Sequence, residues 1–154
     1  MSQQSIGYSR DATVAAVRSF YQFLATLPAL SPSAIKEPPP SGWPDINTTS
    51  HRQLKKQDHV IDLLHHLPYI DGHADGCTQV AYGTSAIQYN GASVKWCFAC
   101  DKIEGKIVPA GCGQLPEYVA VLTEGSWYGS WLLLDTQEAM LLFGHAHLKL
   151  SIQC

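Results

Sequence analysis

The sequence has few charged residues, no concentrated basic region and no long apolar run. Lysine and arginine total 10 and aspartate and glutamate total 13 in 154 residues, a formal net charge of −3. Nucleic-acid binding needs a basic surface that neutralises phosphates, and the small cluster Arg52, Lys55 and Lys56 does not provide one. A membrane span needs about 20 consecutive apolar residues, and none is present. We therefore expect neither nucleic acid nor a membrane as a partner.

The sequence also lacks a disulfide framework and a secretory signal. The five cysteines are odd in number and are not compactly spaced. Residues 1–17 have neither the basic start nor the apolar core of a signal peptide. These features predict a reduced, cytoplasmic protein. The length predicts one domain, residues 1–154, that buries a core without disulfides or a metal.

Two helices separated by a proline-rich connector are predicted in the first half of the chain. Asp11–Leu27 and Ser50–Leu67 have apolar residues at helical spacing, and each ends at a Leu-Pro pair. In the connector, residues 28–49, Pro38-Pro39-Pro40 is expected to be extended, and Gly42-Trp43-Pro44 predicts a turn with an aromatic anchor. The connector either joins the helices within one domain or is a polyproline ligand for another domain.

After Ile70 the pattern changes to short strands and turns. Strands are predicted at Thr78–Tyr82, Ile87–Tyr89, Ser93–Phe98, Ile103–Val108, Tyr118–Thr123, Trp131–Asp135 and His147–Ile152. Asn90-Gly91 is the strongest hairpin signal. Glu117–Phe143 holds the densest apolar run and predicts an antiparallel meander, with turns at Glu124-Gly125-Ser126 and Thr136-Gln137-Glu138. We expect an α+β fold with two N-terminal helices packed on one face of an antiparallel, meander-rich sheet.

The cysteine motif Trp96-Cys97-Phe98-Ala99-Cys100 resembles the Trp-Cys-x-x-Cys of thioredoxin-like proteins. That motif needs its cysteines at the start of a long helix, and residues 102–109 show no helical period. A zinc site would need four ligands, so Cys112 and a histidine would have to complete it. The alternatives are a redox pair, structural zinc, and buried strand cysteines. We favour the last and expect no metal and no cofactor.

A second motif, Asp71-Gly72-His73-Ala74-Asp75, follows the second predicted helix. It resembles the opening metal motif of amidohydrolase-type dipeptidases, but those enzymes need an α/β barrel of about 250 residues. In an extended segment His73 and Asp75 would lie on one side and could form a smaller site. The alternative is a polar loop after a helix in which His65 and His66 interact favourably with the helix dipole.

Four titratable residues are candidate catalytic groups: Asp135, Glu124, His73 and Asp71. A catalytic carboxylate needs a pocket and a partner within reach, and Asp135 would face inward if it alternates with Leu133. Four aromatic residues are candidate substrate-binding groups in an apolar pocket: Trp127, Tyr128, Trp131 and Trp96. The alternatives are that Asp135 ends a strand and bonds to its own turn, and that the aromatic residues pack in the core.

Four segments together resemble a widespread group of small, uncharacterised fungal proteins: Phe20–Leu24 with Leu27-Pro28, Pro38–Pro44, Val60–Ile70 and Gly129–Thr136. That group is similar, more weakly, to the SUKH superfamily of fungal cell-wall-assembly regulators and bacterial toxin-immunity proteins. The resemblance covers most of the chain outside residues 72–113 and includes no diagnostic catalytic motif. It implies an α+β domain of the kind that serves as a protein-binding module.

Two functions are compatible with these features. The first is a non-enzymatic, cytoplasmic interaction or regulatory module with an exposed patch at the connector or the Trp127–Trp131 turn. The second is a cofactor-independent cyclase, isomerase or dehydratase that moves one proton on an apolar, polyketide- or terpenoid-like metabolite of fungal secondary metabolism. The expected partner is accordingly a protein or a small apolar metabolite. The lack of a coherent catalytic set favours the first.

Overall fold

The first two helices precede the larger antiparallel sheets along the chain. The computed structural model describes residues 7–72, 78–103, 106–109, 112 and 114–145. Within these ranges lie three helices: α1 (Arg10–Leu24), α2 (Asp58–His66) and α3 (Ala92–Ala99). Eight strands lie there as well: β1 (Ile35–Lys36), β2 (Tyr69–Ile70), β3 (Gln79–Ala81), β4 (Thr84–Ala86), β5 (Val119–Val121), β6 (Thr123–Gly125), β7 (Ser130–Asp135) and β8 (Met140–His145). The predicted α+β class is confirmed.

Helix α1 starts at a polar cap and ends one turn before its predicted end. The side-chain oxygen of Ser9 accepts a backbone hydrogen bond from the first turn, which satisfies one of the free donors there. The helix ends at Leu24 rather than at Leu27, because the N–H groups of Thr26 and Leu27 each bond to a carbonyl three residues back. The last turn tightens in this way ahead of Pro28. No helix in the described ranges has the length and apolar character to cross a membrane.

The second predicted helix is divided by a left-handed residue. Arg52–Leu54 forms a single 3₁₀ turn, and Lys55 then has φ of 49° and ψ of 51°. Tertiary hydrogen bonds explain the break, since the Gln57 N–H donates to the carbonyl of Glu117 at 3.0 Å instead of to a helical partner. The prediction of one continuous helix over Ser50–Leu67 is therefore wrong in its first half.

The predicted strand at Ser93–Phe98 is wrong, because these residues lie in helix α3. The turn at Asn90-Gly91 leads into this helix instead of into a second strand. Val94 and Cys97 are buried, three residues apart, so the segment packs by helical spacing. The β-branched and aromatic residues of the segment suggested a strand, but burial of one helical face in the core decides its structure.

Helix α3 ends in a Schellman motif built on an aspartate. Asp101 has φ of 55°, in the left-handed region that glycine usually supplies at this position. The N–H of Lys102 donates to the carbonyl of Cys97 at 2.8 Å, and the N–H of Asp101 donates to that of Phe98 at 3.3 Å. The ammonium of Lys102 lies 5.6 Å from the centre of the Trp96 ring, a cation–π contact that covers the helix end.

The strands form three antiparallel sheets in the part of the chain that the structure describes. Their orders are β1-β2, β3-β4-β6 and β5-β7-β8. Strands β7 and β8 form a hairpin over six pairs, from Ser130 opposite His145 to Asp135 opposite Met140. The turn predicted at Thr136-Gln137-Glu138 is confirmed. The strand predicted at 87–89 is wrong, because the strand in this region, β4, ends at Ala86. The described residues of the one predicted at 103–108 form a turn and a bridge, and 147–152 lies outside the description.

The predicted strand Tyr118–Thr123 is divided between two sheets by a threonine side chain. The Thr123 hydroxyl donates to the carbonyl of Ser130 at 3.0 Å and accepts from the N–H of Leu132 at 2.9 Å. Because this side chain bonds to β7, the backbone of β6 is free to pair with β4. Glu124 and Gly125 consequently lie in β6. The turn predicted at Glu124-Gly125-Ser126 instead begins after β6, at residues 126–129.

The main core lies between α2 and the sheet β5-β7-β8. Its most completely buried side chains include Val60, Leu63, Leu64, Val119 and Leu133. Each such side chain contributes about 1.5–3 kcal/mol through removal from water. A smaller cluster joins α1 to the sheets β1-β2 and β3-β4-β6 through Tyr21, Ala34, Ile70 and Val80. Pairing of β4 with β6 places the β3–β4 turn next to the β6–β7 turn.

Candidate functional site

The predicted catalytic acids lie on different sheets. Asp135 ends β7, and its Oδ1 accepts hydrogen bonds from the N–H groups of Gln137 at 2.8 Å and Glu138 at 3.0 Å. This carboxylate therefore stabilises its own turn. Glu124 lies in β6, and its carboxylate is 3.6 Å from the ammonium of Lys106.

Asp71 directly follows β2, where its backbone N–H donates to the carbonyl of Ala34 at 2.7 Å. It thus lies next to the small sheet β1-β2, whereas Glu124 and Asp135 belong to the other two sheets. His73 lies outside the described residues, so the part of the catalytic hypothesis that depends on it stays a prediction. The structure does not bring the three described acids together around one pocket.

The four predicted aromatic residues also lie in different environments. Trp131 is buried in the core at 3% exposure. Trp96 is half exposed on α3, beneath Lys102. Trp127 and Tyr128 project from the turn between β6 and β7, with 75% and 79% of their surfaces exposed. Of the four aromatic residues, only Trp127 and Tyr128 lie side by side in the same environment.

Of three cavities lined by described residues, none combines aromatic walls with several acids. One of about 50 Å³ lies in the apolar region around Tyr21, Tyr69 and Leu122. One of about 160 Å³ lies between α3 and the sheet β3-β4-β6, and Glu124 lines it. A more open recess of about 300 Å³ is lined by Lys56 together with both polar and apolar side chains. Sites for small molecules are commonly about 300–1,000 Å³, so only the last reaches that range.

Lys56 borders this recess and is largely enclosed. Its ammonium donates to the carbonyls of Pro116 at 2.8 Å and Leu115 at 3.5 Å. Burial lowers the pKa of Lys56 to about 8, against the opposing attraction of Glu117. The hydrogen bonds fasten the segment after the 3₁₀ turn to the start of β5.

Three exposed aromatic side chains lie on the adjacent β3–β4 and β6–β7 turns, and we call them the aromatic tip: Tyr82, Trp127 and Tyr128. Tyr82 lies in the β3–β4 turn and is 81% exposed, so all three side chains extend into solvent. Large aromatic side chains are typical anchors of protein interfaces, because each buries a large apolar area and carries a polar group. Tyr82, Trp127 and Tyr128 are the three most exposed large hydrophobic side chains among the described residues.

Two glycines join the turns that carry the aromatic tip. The N–H of Ser126 donates to the carbonyl of Gly83 at 2.8 Å, and the N–H of Ser130 donates to the Thr84 hydroxyl at 2.9 Å. A Cβ atom at Gly129 would lie 1.7 Å from the carbonyl oxygen of Gly83, so only glycine permits this approach. Gly83 itself has φ of +63°. The tip is therefore a rigid composite of two turns.

A second group of polar side chains lies at the end of helix α2. Asp62, His65 and His66 each offer one ligand atom, and these atoms all lie within 4.8 Å of one another. We call them the Asp62–His cluster. The guanidinium of Arg10 bonds to Asp62 Oδ2 at 2.9 Å, which connects α1 to the cluster. The buried hydroxyl of Tyr8 has no hydrogen-bond partner in the described ranges, and burial together with Asp62 raises its pKa to about 12.

The two cysteines of the predicted motif differ in their exposure to solvent. Cys97 is buried and Cys100 is exposed, and both are free thiols. Since α3 ends at Ala99 and Cys100 is its C-cap, neither cysteine lies at a helix start, as thioredoxin-type activation requires. Among the described residues, neither thiol belongs to a group of three metal-binding side chains.

The sequence interpretation missed Tyr82 and the Asp62–His cluster as functional candidates. Tyr82 directly precedes Gly83 in the sequence. Because glycine marks turns and turns lie at the surface, this pair could have identified Tyr82 as an exposed residue. The spacing Asp62-x-x-His65-His66 places both histidines one helical turn after the aspartate, which is a usable metal-site signal. Comparisons with protein-family models, curated proteins and solved structures found no match to this chain.

Proposed function

We propose that the protein is a protein-interaction module and that the aromatic tip is its binding surface. The observation that carries this proposal is the exposure of Tyr82, Trp127 and Tyr128, between 75% and 81%, on turns locked together by glycines. Rigid aromatic anchors lose little conformational freedom on binding, so most of their apolar area contributes to affinity. The resemblance to fungal and SUKH-type binding modules is compatible with this role and stays a prediction.

The partner that fits this surface is a folded protein with an apolar recess. The two turns, residues 81–84 and 126–130, contain no charged residue, so a charged partner surface would find no complementary group. Burial of the three side chains would remove about 350–600 Å² from water, since an aromatic residue buries roughly 150–250 Å² and each of the three is between 75% and 81% exposed. A stable interface covers about 800 Å² on each partner, so the tip would supply its centre. The free thiols of Cys97 and Cys100 are compatible with the expected cytoplasmic location.

Site-specific photocrosslinking tests the proposal. The photoreactive residue benzoylphenylalanine would replace Tyr128 in one variant and Phe23 in a control variant, because Phe23 is an exposed aromatic residue on α1. In an extract of cells that naturally express the chain, we expect a discrete protein adduct from position 128 and not from position 23. Adducts of equal yield and identity from both positions would contradict the proposal.

Affinity for the purified partner provides the quantitative test. Trp127→Ala should weaken binding about 30-fold or more, the usual effect of removing an aromatic hot spot, whereas Phe23→Ala should change the Kd less than about twofold. Because the tip is uncharged, the Kd should change only a few-fold when salt is raised tenfold. Binding that survives Trp127→Ala would refute the role of the tip. If the Tyr128 adduct is a second copy of the chain, the surface is a self-association interface and the proposed partner is wrong.

A further inference from the structure

We propose that Asp62, His65 and His66 form a binding site for one divalent transition-metal ion, with Zn²⁺ as the reference ion. This inference is independent of the aromatic tip. The three side chains supply two imidazoles and one carboxylate, with their ligand atoms within 4.8 Å of one another. Such a donor set suits Zn²⁺ and related ions, and it leaves at least one coordination position for water or another ligand.

Helix α2 places the three donors on one side. His65 and His66 follow Asp62 by three and four residues, so their side chains flank the aspartate one turn further along the helix. The two imidazole rings are 4.9 Å apart and nearly perpendicular. Because the donors come from a single turn of helix, small side-chain rotations suffice to bring them to metal-binding distances of about 2.0–2.2 Å.

Contacts around the cluster orient two of the donors. Arg10 holds Oδ2 of Asp62 at 2.9 Å, so Oδ1 faces the histidines and lies 3.3 Å from Nδ1 of His66. Nδ1 of His66 also lies 2.8 Å from the backbone carbonyl of Asp62. Donation from Nδ1 to this carbonyl leaves the second ring nitrogen available as a ligand. Outer hydrogen bonds of this kind fix the orientation and tautomer of metal-binding histidines.

The third donor, His65, is held by the connector. A Cβ atom at Gly42 would lie 2.8 Å from three atoms of the His65 ring, so the glycine packs flat against the ring face. The backbone carbonyl of His65 accepts a hydrogen bond from the Trp43 N–H at 2.8 Å. Packing on the face leaves both nitrogens accessible in the plane of the ring, and neither has a hydrogen-bond partner among the described residues.

The charge of the cluster indicates which ions it would select. Arg10 offsets the charge of Asp62, so the site lacks the net negative charge on which Mg²⁺ and Ca²⁺ sites depend. Imidazole binds Zn²⁺, Co²⁺, Ni²⁺ and Cu²⁺ without needing that charge. The competing explanation is that the two histidines only stabilise the helix dipole, in which case no stoichiometric metal binding occurs.

Metal titration of the untagged, full-length chain tests the proposal. Zn²⁺ alone would be titrated in competition with a chromophoric chelator, and Co²⁺ would report coordination through its visible absorption. The variants are Asp62→Asn, His65→Ala and His66→Ala. The matched control is His59→Ala, because His59 is also on α2 but bonds to the Thr136 hydroxyl at 2.7 Å.

We expect one Zn²⁺ per chain, a Co²⁺ spectrum with ligand-field bands, and no binding of Mg²⁺ or Ca²⁺. Each cluster variant should weaken Zn²⁺ binding at least about tenfold, and His59→Ala should leave it unchanged. At a hundredfold excess over the Kd, Zn²⁺ should raise the Tm of the unsubstituted protein by about 5 °C or more. Circular dichroism would show that the variants remain folded. Equal Zn²⁺ affinity in the His65→Ala/His66→Ala double variant, or no stoichiometric binding, would overturn the proposal.

Discussion

Substitution of Gly129 by alanine tests whether the aromatic tip depends on close approach of two turns. The added Cβ would lie 1.7 Å from the carbonyl oxygen of Gly83, whereas real Cβ atoms keep at least 3.0 Å. The turns must therefore separate by about 1.3 Å, the difference between these distances. Because the opposing atom is backbone, no side-chain rotation relieves the contact.

The expected cost follows from the contacts that this separation breaks. Overpacking costs about 1–3 kcal/mol, and loss of the hydrogen bonds from Ser126 to Gly83 and from Ser130 to Thr84 adds about 1 kcal/mol each at most. We expect Gly129→Ala to lower the free energy of unfolding by about 2–4 kcal/mol. The protein would remain folded, since domains commonly have about 5–15 kcal/mol.

Urea denaturation gives this free energy, with a shifted midpoint at unchanged slope as the sign of a pure stability effect. Gly7→Ala is the matched control, because a Cβ at Gly7 meets no atom within 4 Å and its φ is outside the left-handed region. It should change stability by less than about 1 kcal/mol. A Gly129→Ala loss below about 0.5 kcal/mol would refute the reasoning, because the turns would then separate without breaking their contacts.

Three further predictions concern the core, a buried lysine and the thiols. Leu133→Ala should cost about 3 kcal/mol in urea denaturation, because Leu133 is fully buried on the central strand β7, and the exposed Leu141→Ala should cost less than about 1 kcal/mol. Burial lowers the pKa of Lys56 from 10.5 to about 8, so between these values the unfolded chain binds more protons and stability rises with pH. The stability of the unsubstituted protein relative to Lys56→Met should therefore rise by about 1–2 kcal/mol from pH 7 to 9.5, and a difference independent of pH would contradict this. Peptide mapping after brief alkylation should show Cys100 modified well before Cys97, because only the former is exposed, and equal rates would show that α3 opens readily.

Helical periodicity and turn signals were sufficient to predict the fold class, helix α1, strand β7 and the turn that follows it. In each, the local pattern and the packing agree: Ser9 caps α1, and Asp135 bonds within its own turn as the alternative interpretation predicted. Where a predicted helix or strand was wrong, hydrogen bonds and backbone geometry that the local pattern does not show determined the structure. The bond from Gln57 to Glu117 interrupts the second helix, and a left-handed Asp101 closes a helix where the residue types suggested a strand.

The candidate sites were less predictable, because they depend on segments that are distant in the sequence. Trp127 and Tyr128 were identified as functional residues, but their exposure and their partner Tyr82 follow from pairing of β4 with β6. His65 and His66 were recognised as residues at a helix end. Their approach to Asp62 is local, whereas the positioning by Arg10 and Gly42 comes from other parts of the chain.

The glycine joint between the two turns makes the aromatic tip a conformational epitope. A synthetic peptide copied from either turn would present one or two of the three aromatic side chains, without the fixed spacing that the Ser126–Gly83 hydrogen bond provides. Neither peptide should compete with the intact chain for a partner, and an unfolded chain should not compete either. Partner binding would then measure the folded fraction directly, so a stability loss anywhere in the core would reduce occupancy while leaving the tip chemically intact.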